Sequence, residues 1–246
     1  QGRPVLGLVF LVLAPLVKPI GLLPIPIFAV AAWQQMSDWR QRIRLVLLAT
    51  VGAPLIAFLA FLPFGSPMPL IQRLANEAQT GPSFSPVQLA LEAARALNLA
   101  LTISPLARVA SLVFGLAALI LFWFTWRGRS VLRGAADIFA AYLLTALKFR
   151  IWYPTWLFPW LVLDVNGRFR LYTGLWFLLL SQLSVHLYGH IRVVWLDNSL
   201  PTAHLIGVPI VFVGPLLLAL LTSKFQELLG SRRLRLPSVV HRLNKD

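Results

Sequence analysis

Lys148 and Arg150 stand between two apolar runs, Ile138 to Leu147 and Trp152 to Val165, in the stretch KFRIWYPTWLFPW that closes at Trp160. Cations at the mouth of apolar segments can hold an anionic head group. A guanidinium grips phosphate through two parallel hydrogen bonds, and an ammonium acts as a point charge. Trp152, Trp156 and Trp160 recur four residues apart, which on a helix makes one aromatic stripe. Indole faces attract cations and offer flat surfaces to rings. Pro154 is placed to open that helix, where its missing N–H costs nothing. Pro159 removes the hydrogen bond to the Thr155 carbonyl and predicts a kink. The pattern suits an anionic lipid head group or a sugar. It is also the pattern of an ordinary interfacial belt of Trp, Tyr and basic residues.

A further cation, Lys18, lies inside the apolar run Pro4 to Trp33, among Pro15, Pro19, Gly21, Pro24 and Pro26. That run exceeds one straight span of about 20 residues and is too short for two. It predicts a broken or strongly tilted helix whose freed carbonyls face protein or a cavity. A lysine there either faces a cavity or an anionic partner, or snorkels to the interface. His186 and His190 are one helical turn apart, with Asp197 and His204 nearby in sequence. Such a pair can ligate a metal, but no H-E-x-x-H accompanies it, so the histidines are read as interfacial or hydrogen-bonding. No metal and no cofactor are expected. The sequence holds no Walker loop, no G-x-S-x-G and no dinucleotide fingerprint.

Lys148, Phe149, Trp152, Tyr153, Trp156 and Pro159 together resemble the K-F-h-x-W-Y-x-x-W-x-x-P turn of integral-membrane glycosyltransferases of the C superfamily. Those enzymes take sugars, often mannose or arabinose, from polyprenyl-phosphate donors. The early segment LAPLVKPIGLLPIPI is similar to a second apolar segment of that family, through Lys18, Pro19 and Pro24. The resemblance implies transfer of a mannose-like sugar to a lipid-linked or glycan acceptor at the outer membrane face. Lys148, Arg150 and Lys18 would bind the donor phosphate, while Trp152, Tyr153 and Trp156 would line the sugar or acceptor groove. Transfer to a hydroxyl also needs a group to take its proton. In the family that acid sits in the first outer loop near the N-terminus. The outer acids here are Glu77, Glu92 and Asp197. Glu77 reads as a loop residue, Glu92 as a solvated helix face and Asp197 as a turn with Asn198 and Ser199. The catalytic residue is left unassigned. The chain begins at Gln1 directly on an apolar run, and is read as the C-terminal part of a longer protein.

The elements that must position these groups follow from composition. Of 246 residues, 58% are hydrophobic and 12% charged, which places the chain among polytopic helical membrane proteins. Cysteine is absent, so disulfides and cysteine-ligated metals are excluded. The net charge of +14 is scattered in short loops between apolar spans, which argues against nucleic acid as a partner. The predicted fold is an all-α bundle of about seven spans in a single transmembrane domain, 1–246. The spans are the broken Pro4 to Trp33, then Ile43 to Pro63, Arg108 to Trp126 and Ala135 to Leu147. The short Trp152 to Val165 follows, then Leu171 to Tyr188 and Leu205 to Thr222. Residues 64–104 form a long outer loop. Within it Ser85-Pro86-Val87-Gln88 reads as a capping box opening an amphipathic interfacial helix, Pro86 to Leu101. Its apolar stripe is Val87, Leu91, Ala94 and Leu101, opposite Glu92 and Arg95. Segments 33–44, 127–134, 164–170 and the tail 224–246 share one side and carry 14 of the 22 Lys and Arg residues. The excess puts that side, with the C-terminus, in the cytoplasm, here of a bacterial plasma membrane. Two other functions compete: a transporter of an anionic lipid or solute built on the broken helix, and a non-catalytic membrane scaffold.

Overall fold

The computed structural model describes residues 14, 18–69, 71–72, 83–164 and 167–233. Arg3, Arg73, Glu77, the tail from 234 onward and the first run upstream of Lys18, Ala14 excepted, lie outside the described residues.

Lys18 is extended and leads into a 3-10 turn, Pro19–Leu22. Helix α1, Ile25–Gln35, follows with Pro26 in its first turn, where a proline lacks no partner. Asp38 then caps α2, Trp39–Phe61, accepting from the Arg40 N–H at 3.0 Å. The α2 helix therefore begins inside the stretch expected to be a loop. It passes through a π turn, Leu48–Gly52, immediately before Pro54. Proline cannot bond to the carbonyl four residues back and its ring clashes there, so the wider turn absorbs the misfit.

Helix α3, Pro86–Ala96, opens as the capping box predicts: Ser85 Oγ accepts from the Gln88 N–H at 3.2 Å, with Pro86 in the first turn. It closes at Ala96 rather than running to Leu101. Asn98 adopts φ 57°, and the Leu99 N–H reaches back to the Ala94 carbonyl at 2.8 Å, which seals the last carbonyls. Leu101 thereby leaves the stripe and is exposed. The next helix, α4, is Ile103–Trp126, and Gly128 at φ 96° ends it in the same way. Then come α5, Val131–Thr145, and α6, Pro154–Leu163. Helix α7 runs as Arg168–His186, a π turn Leu187–Ile191 and Arg192–Trp195. Ser199 caps α8, Leu200–Phe212, which leads through Val213 into α9, Gly214–Arg233.

Among the described residues every regular element is helical. Three helices among the described residues are long and apolar enough to cross a membrane: Trp39–Phe61, Ile103–Trp126 and Leu200–Glu227. Helix α6 is apolar but only 10 residues long, about 15 Å or half a hydrocarbon core. Phe139, Leu143, Phe149, Phe177, Leu187 and Val211 form the centre of the core. Small residues let the backbones approach closely. At Gly174 of α7, a methyl group would collide with Leu161 Cδ1 of α6.

The bonds between the helices sort into two ends. At the basic end, Gln34 donates to the Trp126 carbonyl at 2.5 Å and Arg133 pairs with Asp164 at 3.0 Å. Tyr172 there bonds to Gln226 at 2.6 Å. Gln34, Arg133, Asp164 and Gln226, one from each segment expected on one side, are bonded at this end. At the aromatic end, the Ser83 N–H and Ser85 Oγ both donate to the Leu147 carbonyl, at 3.0 and 2.9 Å. Ser181 Oγ donates to the Ile151 carbonyl at 3.2 Å.

Candidate functional site

The turn joining α5 to α6 begins where Ala146 becomes extended and stops the helix. Phe149 dives into the core and contacts Phe84, Tyr153, Phe177 and Phe212 at centroid distances of 6.4, 6.0, 5.7 and 5.0 Å. It is the anchor of the turn. Of the cations on either side, Lys148 is half-buried and Arg150 exposed. Pro154 opens α6 as expected, but Trp152 falls in the turn ahead of it, so the three tryptophans do not form one stripe. Trp152 is 48% exposed and lies edge-on to Tyr153 at 6.3 Å. Trp160 is a core residue instead, stacked on Phe139 at 6.2 Å and tilted against Phe28 at 5.5 Å.

Tyr153 and Trp156 stack at 4.1 Å and 26°, forming a flat aromatic platform. Over the Trp156 ring, at 5.5 Å, sits the ammonium of Lys18. The two motifs, far apart in sequence, thus meet at one end of the bundle. The packing of Ile20 and Leu23 onto the core cluster that includes Trp156 explains how. Lys18 itself is exposed. Of the predicted residues, Lys18, Tyr153 and Trp156 are in direct contact, and Trp152, Lys148 and Arg150 share the adjoining turn.

Sequence reasoning misjudged Glu92. It is buried at 6% exposure, because α3 turns that edge toward α8. Its carboxylate accepts from Gln88 Nε2, and from Arg95 Nη1 at 3.2 and 3.4 Å. His204 Nδ1 lies 3.8 Å away, with no hydrogen-bond partner of its own. His204 Nε2 bonds to the Tyr188 hydroxyl, and the Arg192 guanidinium lies 5.9 Å above the Tyr188 ring. His204 was expected in a loop but is 2% exposed within α8. The signal for this was present: Ser199-Leu200-Pro201 is a helix cap followed by an N-terminal proline. Phe84 joins this polar cluster to the turn, lying 5.2 Å from Tyr188 and 6.3 Å from His204. With its oxygens already accepting from two side chains, Glu92 serves as an anchored acceptor rather than an open base.

At the opposite end Asp164 sits in the connection after α6, as expected, while Arg170 belongs to the first turn of α7 rather than to the loop. Asp164 is 9% exposed and pairs with Arg133, with Arg170 Nη1 at 4.0 Å. Asp137 takes Arg129 and Arg170. These pairs tie α5, α6 and α7 together. His186 and His190 are exposed, and among the described residues no three His, Cys, Asp or Glu side chains converge as a metal site would require. Asp197 is the exposed turn residue expected, at φ 47° beside Asn198 at φ 60°. No known protein family, curated protein or solved structure matches this chain.

Proposed function

We propose that the protein transfers a mannose-like sugar from a polyprenyl-phosphate donor to a lipid-linked or glycan acceptor. The aromatic end then faces outward from a plasma membrane and the basic end faces the cytoplasm, following the excess of Lys and Arg. In this reading α7 and the shorter helices α1, α5 and α6 complete about seven passages, with a broken first helix. The observation that carries the reading is Lys18 over Trp156, which unites both halves of the resemblance in one surface. Lys148 and Arg150 hold the donor phosphate and stabilise the charge that gathers as the sugar–phosphate bond breaks. Lys18 is a second phosphate contact. The stacked Tyr153–Trp156 pair offers its face to a sugar ring, with Trp152 at the rim.

The test is sugar transfer from a polyprenyl-phosphate donor by Lys148→Ala, Arg150→Ala and Arg150→Lys variants, each normalised to folded protein. Losing a phosphate-holding cation should lower the rate by about 100-fold. Arg150→Lys is the sharper probe, because a bidentate contact tolerates it poorly. Full rates in all three variants would reduce the turn to an interfacial belt.

A further inference from the structure

Lys148 and Arg150 belong to no helix: α5 ends at Thr145 and α6 starts at Pro154. A cation on a loose turn loses backbone and rotamer freedom when it grips a phosphate, and that loss weakens binding. A turn fixed in advance avoids most of it. Water would satisfy the carbonyls of such a turn without fixing them. Here buried hydroxyls from two other helices take their place.

The stretch is held at three points. Ahead of the cations, the Leu147 carbonyl accepts from the Ser83 N–H at 3.0 Å and from Ser85 Oγ at 2.9 Å. Two donors fill both lone pairs of a carbonyl oxygen. Ser85 is fully buried, and its Oγ also accepts from the Gln88 N–H, so one hydroxyl both starts α3 and holds the turn. Between the cations, Phe149 is 4% exposed and packed among four rings. Beyond them, the Ile151 carbonyl accepts from Ser181 Oγ of α7 at 3.2 Å. Ser181 is fully buried too, but it shares its single proton with the Leu178 carbonyl of its own helix at 2.8 Å. The two serines thus bracket both cations, one on each side.

We propose that Ser85 and Ser181 are positioning residues for the phosphate site, locking the backbone on either side of Lys148 and Arg150 so that the two cations are preorganised. The inference rests on the reading of those cations as phosphate contacts. Ser85 carries more of the effect than Ser181, because its proton goes to Leu147 alone. Helix α3 thereby belongs to the site without touching the ligand, acting through the Leu147 carbonyl.

The experiment places the full chain in lipid nanodiscs and measures binding of a sugar-free polyprenyl phosphate and of the matching neutral polyprenol. Ser85→Gly removes the hydroxyl but keeps a residue that starts helices nearly as well; Ser181→Ala is the second, independent variant. Preference for the phosphate over the alcohol should fall about fivefold in Ser85→Gly, the net worth of one hydrogen bond, and about twofold in Ser181→Ala. Affinity for the alcohol should not change, and amide hydrogen exchange across residues 147–153 should quicken in both variants. Added to Lys148→Ala/Arg150→Ala, Ser85→Gly should leave the ratio where it was, since the serine acts only through the cations. Loss of affinity for both ligands alike, with or without the cations, would make the serines merely structural and overturn the proposal. An unchanged ratio in both serine variants, beside a wild type that prefers the phosphate, would also overturn it and leave the phosphate site standing. A wild type that binds both ligands equally would remove the site itself, and the positioning role with it.

Discussion

Replacing Gly207 with alanine puts a methyl group where α8 has no room for one. The new Cβ would lie 2.7 and 2.9 Å from Phe84 Cε2 and Cζ, and 2.8 Å from Leu187 Cδ1. Phe84 cannot swing aside easily, because Phe149, Tyr188 and His204 surround it. Overpacking of this kind costs about 1–3 kcal/mol. The strain falls on α3, since Phe84 directly precedes its Ser85 cap and Ser85 also bonds to the turn at Leu147. Local opening of α3 should therefore rise by about 5- to 150-fold. The chain has no cysteine, so Val87→Cys, at a position 8% exposed, gives a clean reporter. Its rate of maleimide labelling in detergent, with Gly207 or the alanine variant, measures that opening. Equal rates would refute the claim that Phe84 clasps α3 to the bundle.

Two other perturbations probe the basic end and the orientation. Asp164→Ala strands Arg133 and Arg170, but those side chains are 40% and 28% exposed and regain water. The expected loss is about 1–3 kcal/mol, less than for a sealed pair, read as a lower melting temperature; an unchanged melt would make the network an idle surface pairing. For orientation, Arg150→Cys should react with an impermeant thiol reagent in intact cells and Ser130→Cys should not. The reverse pattern would invert the topology.

Local signals were legible and distant ones were not. Ser85 and Pro86 announced the start of α3, and Pro154 the start of α6, because caps and prolines act within one turn. The end of α3 was missed because Asn98 supplies a left-handed residue where glycine is the usual sign. Placing the helix start at Pro154 expels Trp152 from the stripe, a shift that spacing alone cannot reveal. Glu92 read as solvated because the helix that covers it, α8 with His204 3.8 Å from its carboxylate, lies across the fold. The turn's two cations were identified by composition, but the anchoring role of Phe149 between them became apparent only from its four ring contacts. For Lys18 the sequence allows both a cavity and an interface, and its place on Trp156 depends on the packing of α1 against α6.

The central claim is that the aromatic end recognises a lipid phosphate through Lys18, Lys148 and Arg150. Equilibrium binding of a polyprenyl phosphate and of the matching neutral polyprenol, to the wild type and to the triple alanine variant, tests it directly. The two ligands share a tail and differ only in the charged head, so their affinity ratio isolates what the cations contribute. The wild type should favour the phosphate by about tenfold or more, with the preference shrinking as salt rises. The triple variant should bind both ligands alike. Equal affinity of the wild type for phosphate and alcohol would contradict the account.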